Sequence, residues 1–389
     1  MRAAIALVLG LVTTIGVAGR AQGAAPQLPA LDPALLGRAV AGLPNPVVTG
    51  AQLTVSGSAG QWSGRAGVAD VTTGAPMPAG GRFRIASVTK AFTAVIALQL
   101  VAEHRLDLRQ SVQHYLPGVL PGSYPPITVG QLLDHTSGLP FSLVDAQNAD
   151  PAWVVAHRFD YWTPAQVVAS AVAQPLAFAP GTEQRYNGVN YFLTGLIIEK
   201  VGGHSYAEEL DRRIVKPLGL RATSLPAPGE TRIPGPHAHG YVTVGGALVD
   251  VTEQSAWGWA ESGIISSTAD LTRFLSALLG GRLLPRAQLA PMLTLPDVPY
   301  PGGGTCRLGP HPGQACFSAG LQATTFPDGV TVWGKSGAVP GYTTGVFATA
   351  DLARVMASSL NPTGNRDGSE ARYVQNIAAA AFDPSLFAD

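Results

Sequence analysis

Apolar residues change their spacing several times along this chain, and each change predicts a different kind of element. Near the start, Gln52-Leu53-Thr54-Val55 and Gly67-Val68-Ala69 read as strands joined through a Gly/Ser turn around Ser56 to Gly60, which predicts a hairpin. A first helix is expected before it, over Pro33 to Ala41. Strand-like Phe83-Arg84-Ile85 then meets a long apolar run, Ala91 to Val101, and from Ser87 the pattern is helical. Thr128-Val129-Gly130-Gln131 and Ser205-Tyr206-Ala207-Glu208 have capping-box spacing, and Thr163-Pro164 offers a cap followed by proline at the first helical position. A further helix is expected from about Thr268 to Leu279, started by Ser267 and Asp270 and stopped at Gly280-Gly281. The middle of the chain therefore reads as mostly helix.

Late in the chain the period shortens again. Phe317 to Thr325, Val330 to Gly334, Tyr342 to Ala348 and Arg354 to Leu360 read as successive strands, with Pro327-Asp328-Gly329 as a turn, and Ser369 is expected to cap a last helix through Ala380. Strands at both ends around a helical middle predict an α+β fold: one antiparallel sheet completed by both termini, flanking helices and an inserted, mainly helical region. The active site is expected at their junction.

Composition narrows the function. The 389 residues are 46% hydrophobic and 13% charged, with a formal net charge of zero. That is ample for a buried core, and it supplies no basic field for nucleic acid or an anionic membrane. Met1-Arg2, the apolar stretch Ala3 to Ala18 and the small residues of Ala21-Gln22-Gly23 read as a signal peptide over residues 1–23, leaving 24–389 as the catalytic domain of an exported, secreted protein. An uncleaved anchor is the weaker alternative, since the stretch falls short of the ~20 residues that span a bilayer comfortably. The tail Ala378 to Asp389 carries no hydrophobic anchor, so no stable membrane tether is expected. Cys306 and Cys316 are the two cysteines, close enough to staple one Gly- and Pro-rich loop in an oxidising compartment. Zinc is a poor alternative without paired Cys-x-x-Cys, and no metal or cofactor is expected.

The candidate chemistry lies in three separated segments. Ser87-Val88-Thr89-Lys90 places a hydroxyl and an amine on one face of a helix start, the arrangement of an activated serine. Ser-x-x-Lys arises on the order of once by chance in a chain of this length, so its context decides. Lysine is scarce here, and Lys335-Ser336-Gly337 supplies another; Tyr186 adds a proton carrier. Burial of a lysine among apolar neighbours is expected to favour its neutral, basic form. His135 is expected to fix a turn beside Val129 to Leu133, the spacing of His237-Ala238-His239 to be structural, and Trp257 and Trp259 to pack or to line a cleft.

With these segments in this order, the chain resembles the serine penicillin-recognising enzymes, the group of D-alanyl-D-alanine carboxypeptidases, class C β-lactamases and related esterases. The likeness rests on Phe83 through Lys90, on Gln131-Leu132-Leu133-Asp134-His135-Thr136-Ser137-Gly138-Leu139-Pro140, and on Asn190-Tyr191 leading to Gly195-Leu196-Ile197-Ile198-Glu199. Gly263 to Leu271 and Lys335-Ser336-Gly337 followed by Pro340-Gly341-Tyr342 complete it. The resemblance implies the β-lactamase/DD-peptidase-like fold and an acyl-enzyme on Ser87, with Lys90 and Tyr186 moving protons; which of the two is the base stays open here. It also implies an oxyanion hole from the N–H groups of Ser87 and Ala338, with Lys335 and Ser336 receiving a substrate carboxylate and Gly337 giving room. One departure stands out. The family's Tyr-x-Asn is Tyr186-Asn187-Gly188, which removes a side chain for the substrate amide; Asn187, one position off, is the candidate replacement. The expected activity is a D-alanyl-D-alanine carboxypeptidase on cell-wall peptides. The alternatives are an esterase or β-lactamase on other small acyl substrates, or a non-turnover protein that binds β-lactams or cell-wall fragments.

Overall fold

The computed structural model describes residues 28–144, 150–302, 306 and 308–388. The stretch read as a signal peptide lies outside the described residues. Local chemistry sets most helix starts as the pattern predicts. Thr128, Thr163 and Ser205 each accept from the N–H three residues on, and Gln131, Gln166 and Glu208 bond back in full capping boxes. Ser267 accepts from the Asp270 N–H to open the helix Thr268–Leu279, which ends at Gly280.

The strands are β1 (Val48–Ser56), β2 (Trp62–Gly67), β3 (Phe83–Arg84), β4 (Tyr241–Val244), β5 (Ala247–Asp250), β6 (Ile265–Ser266), β7 (Gln322–Thr325), β8 (Thr331–Val339), β9 (Tyr342–Thr349) and β10 (Val355–Pro362). An antiparallel six-stranded sheet runs in the order β2-β1-β10-β9-β8-β7, so strands from the two ends of the chain meet at β1 and β10. Period-2 alternation divides its faces. Val355 and Ala357 of β10 and Val346 and Ala348 of β9 face the large core shared with the helical region. Met356 and Leu360 join β1 residues under the terminal helices Pro33–Ala39 and Ala371–Phe382.

Several expectations need correction. The second hairpin strand starts at Trp62, ahead of the Gly67-Val68-Ala69 run that suggested it, because pairing with β1 holds residues of modest hydrophobicity in register. Phe317 makes only an isolated bridge with Gln322, and the strand proper is Gln322–Thr325. The last helix starts after Glu370 and has no side-chain cap; Ser369 instead donates its N–H to Asp367. The helical middle also contains a hairpin, β4–β5, turned by Gly245 and Gly246 at φ 58° and 83°. Two successive left-handed residues suit a tight hairpin turn.

For the site, the key feature is where β7 stops. Its pairing with β8 ends at Gln322 opposite Gly334, so residues 335–339 of β8 have no strand partner on that edge among the described residues. The Ser87 turn packs there instead.

Candidate active site

Ser87 sits in a single 3-10 turn, Ala86–Val88, between β3 and the helix Thr89–Ala102, so the regular helix begins two residues later than the pattern suggests. Ala86 has φ 48°, a left-handed conformation that is costly for a residue with a Cβ and turns Ser87 sharply out of the chain direction. Gly337 explains how β8 approaches: a Cβ there would come within 2.4 Å of Ile85 O and 2.7 Å of Ser87 N. Glycine lets the two backbones touch.

Lys90 is fully buried and donates to Ser87 Oγ at 3.0 Å. Its second partner is Glu261, which sequence reading missed. Glu261 forms an ion pair with Lys90, its backbone carbonyl accepts from Lys90 Nζ at 3.2 Å, and its Oε1 lies 3.4 Å from Ser87 Oγ. The segment carrying Glu261 is clamped to the Ser87 helix: Thr93 Oγ1 donates to Ala260 O at 2.6 Å, and the Ile264 N–H donates to Thr89 Oγ1 at 3.2 Å. β6 then pairs with β3. A signal existed in the sequence, namely a lone carboxylate in Trp259-Ala260-Glu261 just ahead of the apolar Gly263-Ile264-Ile265.

The expectation of a neutral Lys90 is overturned. Burial, the largest single influence, pulls its pKa down, but the Glu261 carboxylate and the Tyr186 hydroxyl together hold it above the ordinary lysine value. Glu261 is in turn held below the ordinary carboxylate value: burial works against ionisation, and the Lys90 charge prevails.

Tyr186 lies between the two lysines. Lys90 Nζ is 5.0 Å and Lys335 Nζ 4.7 Å from its ring centre. Its hydroxyl is buried, makes no hydrogen bond of regular geometry among the described residues, and lies close enough to Lys90 and Lys335 to interact with both ammonium groups. Burial opposes ionisation of the phenol, but the ammonium groups of Lys335 and Lys90 bring its pKa below the usual tyrosine value. His135 frames the tyrosine. Its carbonyl accepts from the Arg185 N–H at 3.0 Å, its Nδ1 accepts from the Asn187 N–H at 3.2 Å, and its ring lies 4.5 Å from that of Tyr186. Burial and the two lysine charges hold the imidazole well below its ordinary pKa, so it is neutral. Its role is the turn-fixing one.

Lys335 and Ser336 differ in exposure. Lys335 is buried and donates to Ser336 O at 2.8 Å, while Ser336 is exposed on the free edge of β8. Burial lowers the Lys335 pKa. Asn187 does not replace the missing asparagine. Its Nδ2 donates to Leu139 O and Pro140 O, and its Oδ1 accepts from Val189 N–H, so the side chain is committed to backbone.

Cys306 and Cys316 are joined, with Cα atoms 5.4 Å apart. The loop they close supports the site: Gln184 Oε1 accepts from the N–H groups of Cys316 and Phe317, and the Phe317 ring lies 4.9 Å from Tyr186. His239 pairs with Asp250 and His237 with Gly235 O. Among the described residues no cluster of His, Cys, Asp or Glu is arranged to hold a metal ion.

Ser87 stands between two chambers. One is lined by Glu261, Trp153, Val154, Trp257 and Ala338; the other by Tyr186, Lys335, Ser336, Gln322 and Thr343. Trp257 thus lines the cleft, whereas Trp259 packs against Phe192 and Tyr206.

A clamped serine, a lysine one turn on, a buried tyrosine and a strand edge bearing Lys-Ser-Gly define a site of the penicillin-binding serine hydrolase class. Residues 37–379 match the Beta-lactamase protein family, and the chain belongs to it. Among solved structures it is similar to a D-stereospecific amidohydrolase from Streptomyces sp., at 33% identity and a TM-score of 0.77, covering 90% of this chain and 98% of that one. It is also similar to a D-amino acid amidase from Ochrobactrum anthropi SV3 complexed with L-phenylalanine amide, at 25% identity and a TM-score of 0.72, covering 86% of this chain and 93% of that one. A curated relative is esterase EstB of Burkholderia gladioli, 31% identical over 242 residues, which are 54% of this chain. The match spans only 60% of that relative's length.

Proposed function

We propose that this protein is a serine hydrolase that forms an acyl-enzyme on Ser87 and cleaves amide or ester bonds of small acyl groups. The observation that carries this is the contact of Lys90 with Ser87 Oγ at 3.0 Å beside the buried Tyr186 hydroxyl. The proton route follows from the charges. Lys90 is held as an ammonium by Glu261 together with Tyr186, while the Lys335 and Lys90 ammonium groups ease loss of the Tyr186 proton relative to an ordinary phenol. Tyr186 is therefore the base, reached through Lys90. Ser87 Oγ attacks the substrate carbonyl carbon as its proton passes to Lys90 Nζ, which contacts it, and Lys90 gives one of its own protons to the Tyr186 oxygen. The tetrahedral oxyanion points to the N–H groups of Ser87 and Ala338. The carbonyl re-forms as the bond to the leaving nitrogen or oxygen breaks, and Tyr186 returns the proton to that atom. Water then attacks the ester carbonyl by the same path, releasing the acid and Ser87.

The likeness to an amidohydrolase over nearly its whole length supports amide substrates. A D-alanyl-D-alanine carboxypeptidase on cell-wall peptides is the second reading, favoured by exposed Ser336 beside Lys335 in the chamber that also holds Tyr186. Gly188 weighs against it, since the side chain expected to hold the peptide amide is missing. Export to an oxidising compartment is also part of the proposal, and the disulfide supports it.

Intact-mass spectrometry with p-nitrophenyl acetate, a D-alanine anilide and a β-lactam tests the reading. An acyl adduct mapped to Ser87 and lost in Ser87→Ala is expected with the ester and the anilide. Turnover undiminished in folded Ser87→Ala defeats it, and rapid, complete β-lactam turnover moves the function to a lactamase.

A further inference from the structure

The glycine that departs from the family pattern and the glutamate that the pattern does not contain are in contact. A Cβ built on Gly188 would meet Glu261 Cγ at 3.1 Å, Oε1 at 3.2 Å and Cδ at 3.3 Å. The Glu261 side chain therefore fills the volume into which a side chain at 188 would start. It does so beside the nucleophile, with Oε1 3.4 Å from Ser87 Oγ. Among the described residues lining the chamber it shares with Trp153 and Trp257, it is the only carboxylate. Arg84, Arg158 and Arg366 line the same chamber. Arg84 donates to Thr231 O and Thr252 O and Arg158 to Val155 O, while Arg366 adds to the positive charge that keeps Glu261 ionised.

Resting on the acyl-enzyme reading, we propose that Glu261 takes the place of the missing asparagine and reverses its selectivity: the site prefers acyl groups with a free α-ammonium and disfavours N-acylated ones. An asparagine amide both donates and accepts, so it can bind a substrate acylamide through the carbonyl oxygen. An ionised carboxylate only accepts. It repels that carbonyl oxygen and attracts an ammonium, and with about four lone-pair sites it has capacity beyond its pairing with Lys90. The geometry fits, because an α-nitrogen lies only about 2.5 Å from the carbonyl carbon that Ser87 attacks.

The test compares kcat/KM for D-alanine p-nitroanilide and N-acetyl-D-alanine p-nitroanilide, with p-nitrophenyl acetate as the reference for acylation. In the wild type the free-amine anilide is expected to be the better substrate. Glu261→Gln, which keeps the shape and adds a donor, is expected to lower the free-amine to N-acetyl ratio by about ten- to hundredfold, the range of one charge-assisted hydrogen bond. Gly188→Asn alone, which crowds the Glu261 side chain while keeping its charge for Lys90, is expected to move the ratio the same way and covers the case in which Glu261→Gln fails to fold. A ratio unchanged in folded variants that still hydrolyse the ester overturns the selectivity role alone. Failure of the wild type to acylate Ser87 with any of the three overturns both this inference and the reading beneath it.

Discussion

Lys90 and Glu261, 171 residues apart in the chain, form a buried ion pair beside the Ser87 hydroxyl. A pair so placed ties stability to pH in a defined direction. Glu261 has its folded pKa depressed, so its contribution is present above the ordinary carboxylate pKa, about 4.3, and is lost as pH falls through the folded value. Lys90 has its folded pKa raised, so its contribution is present below about 10.4 and is lost as pH rises through the folded value. Glu261→Ala is expected to destabilise by about 3–5 kcal/mol through the neutral range, because it leaves an unpaired buried ammonium. Urea unfolding of both proteins at several pH values checks this. The gap should be widest around neutrality, narrow in stronger acid as Glu261 takes up its proton, and narrow in alkali as the unpaired Lys90 of the variant loses its own; a gap that widens in acid contradicts the pairing.

Tyr186 as base predicts a rising pH–rate profile. Losing the phenol proton creates the catalytic form, and the lysine charges bring that loss below the usual tyrosine pKa. Acylation is therefore expected to climb with pH to a plateau reached before pH ~10, the ordinary tyrosine value. Lys335→Met should move the rising limb to higher pH, because Lys335 is the larger of the two attractive charges. Tyr186→Phe should remove the limb and slow acylation by about 10²- to 10⁴-fold. Burst-phase kinetics with an activated ester measure all three. A limb that stays in place without Tyr186 assigns the base elsewhere.

These predictions draw unequally on what the sequence shows. Ser87, Lys90 and the capped helix starts are legible because their causes are local: three-residue spacing, a hydroxyl before a helix, a glycine after it. Strand β9 and the first half of β8 are legible because alternation survives in them, and β10 because it is a short buried run between turn residues. Glu261 is not legible, since a carboxylate among apolar residues shows only that it needs a partner, and the partner is supplied by β3–β6 pairing and by two threonine hydroxyls of another helix. Lys90 was misjudged for the same reason, its charge state being set by a residue far away in sequence. The β4–β5 hairpin was missed although Gly245-Gly246 is a turn signal, because its strands are short and β5 is largely exposed.

The disulfide supports the site more than the fold. It closes a loop of ten residues' separation, worth about 3 kcal/mol in the chain-entropy account, and the segment after it holds Gln184 and Tyr186 through Phe317. Cys306→Ser with Cys316→Ser is expected to leave a folded protein with a lower denaturation midpoint and an acylation rate reduced several-fold. Circular dichroism, denaturant titration and ester kinetics on one preparation separate the two effects. Full activity in the variant removes the supporting role, and loss of the whole fold shows that the bond does more than brace one loop.

Gly337 offers the sharpest steric test, because its neighbours are backbone and cannot swing aside. A methyl group at this position would sit 2.4 Å from Ile85 O and 2.7 Å from Ser87 N, below any ordinary contact, and the third neighbour is Ala86 Cβ at 3.0 Å. β8 must retreat or the already strained Ala86 turn must open. Either response separates the Ser87 and Ala338 N–H groups proposed to face the oxyanion, and losing one such donor costs about 10²- to 10³-fold. Gly337→Ala is therefore expected to lower kcat by about that factor. Substrate affinity should change less, since neither chamber wall is removed. Single-turnover acylation beside a thermal unfolding curve gives the answer: a slow but well-folded variant supports the backbone geometry, whereas an unimpaired acylation rate means that β8 does not hold the oxyanion donor.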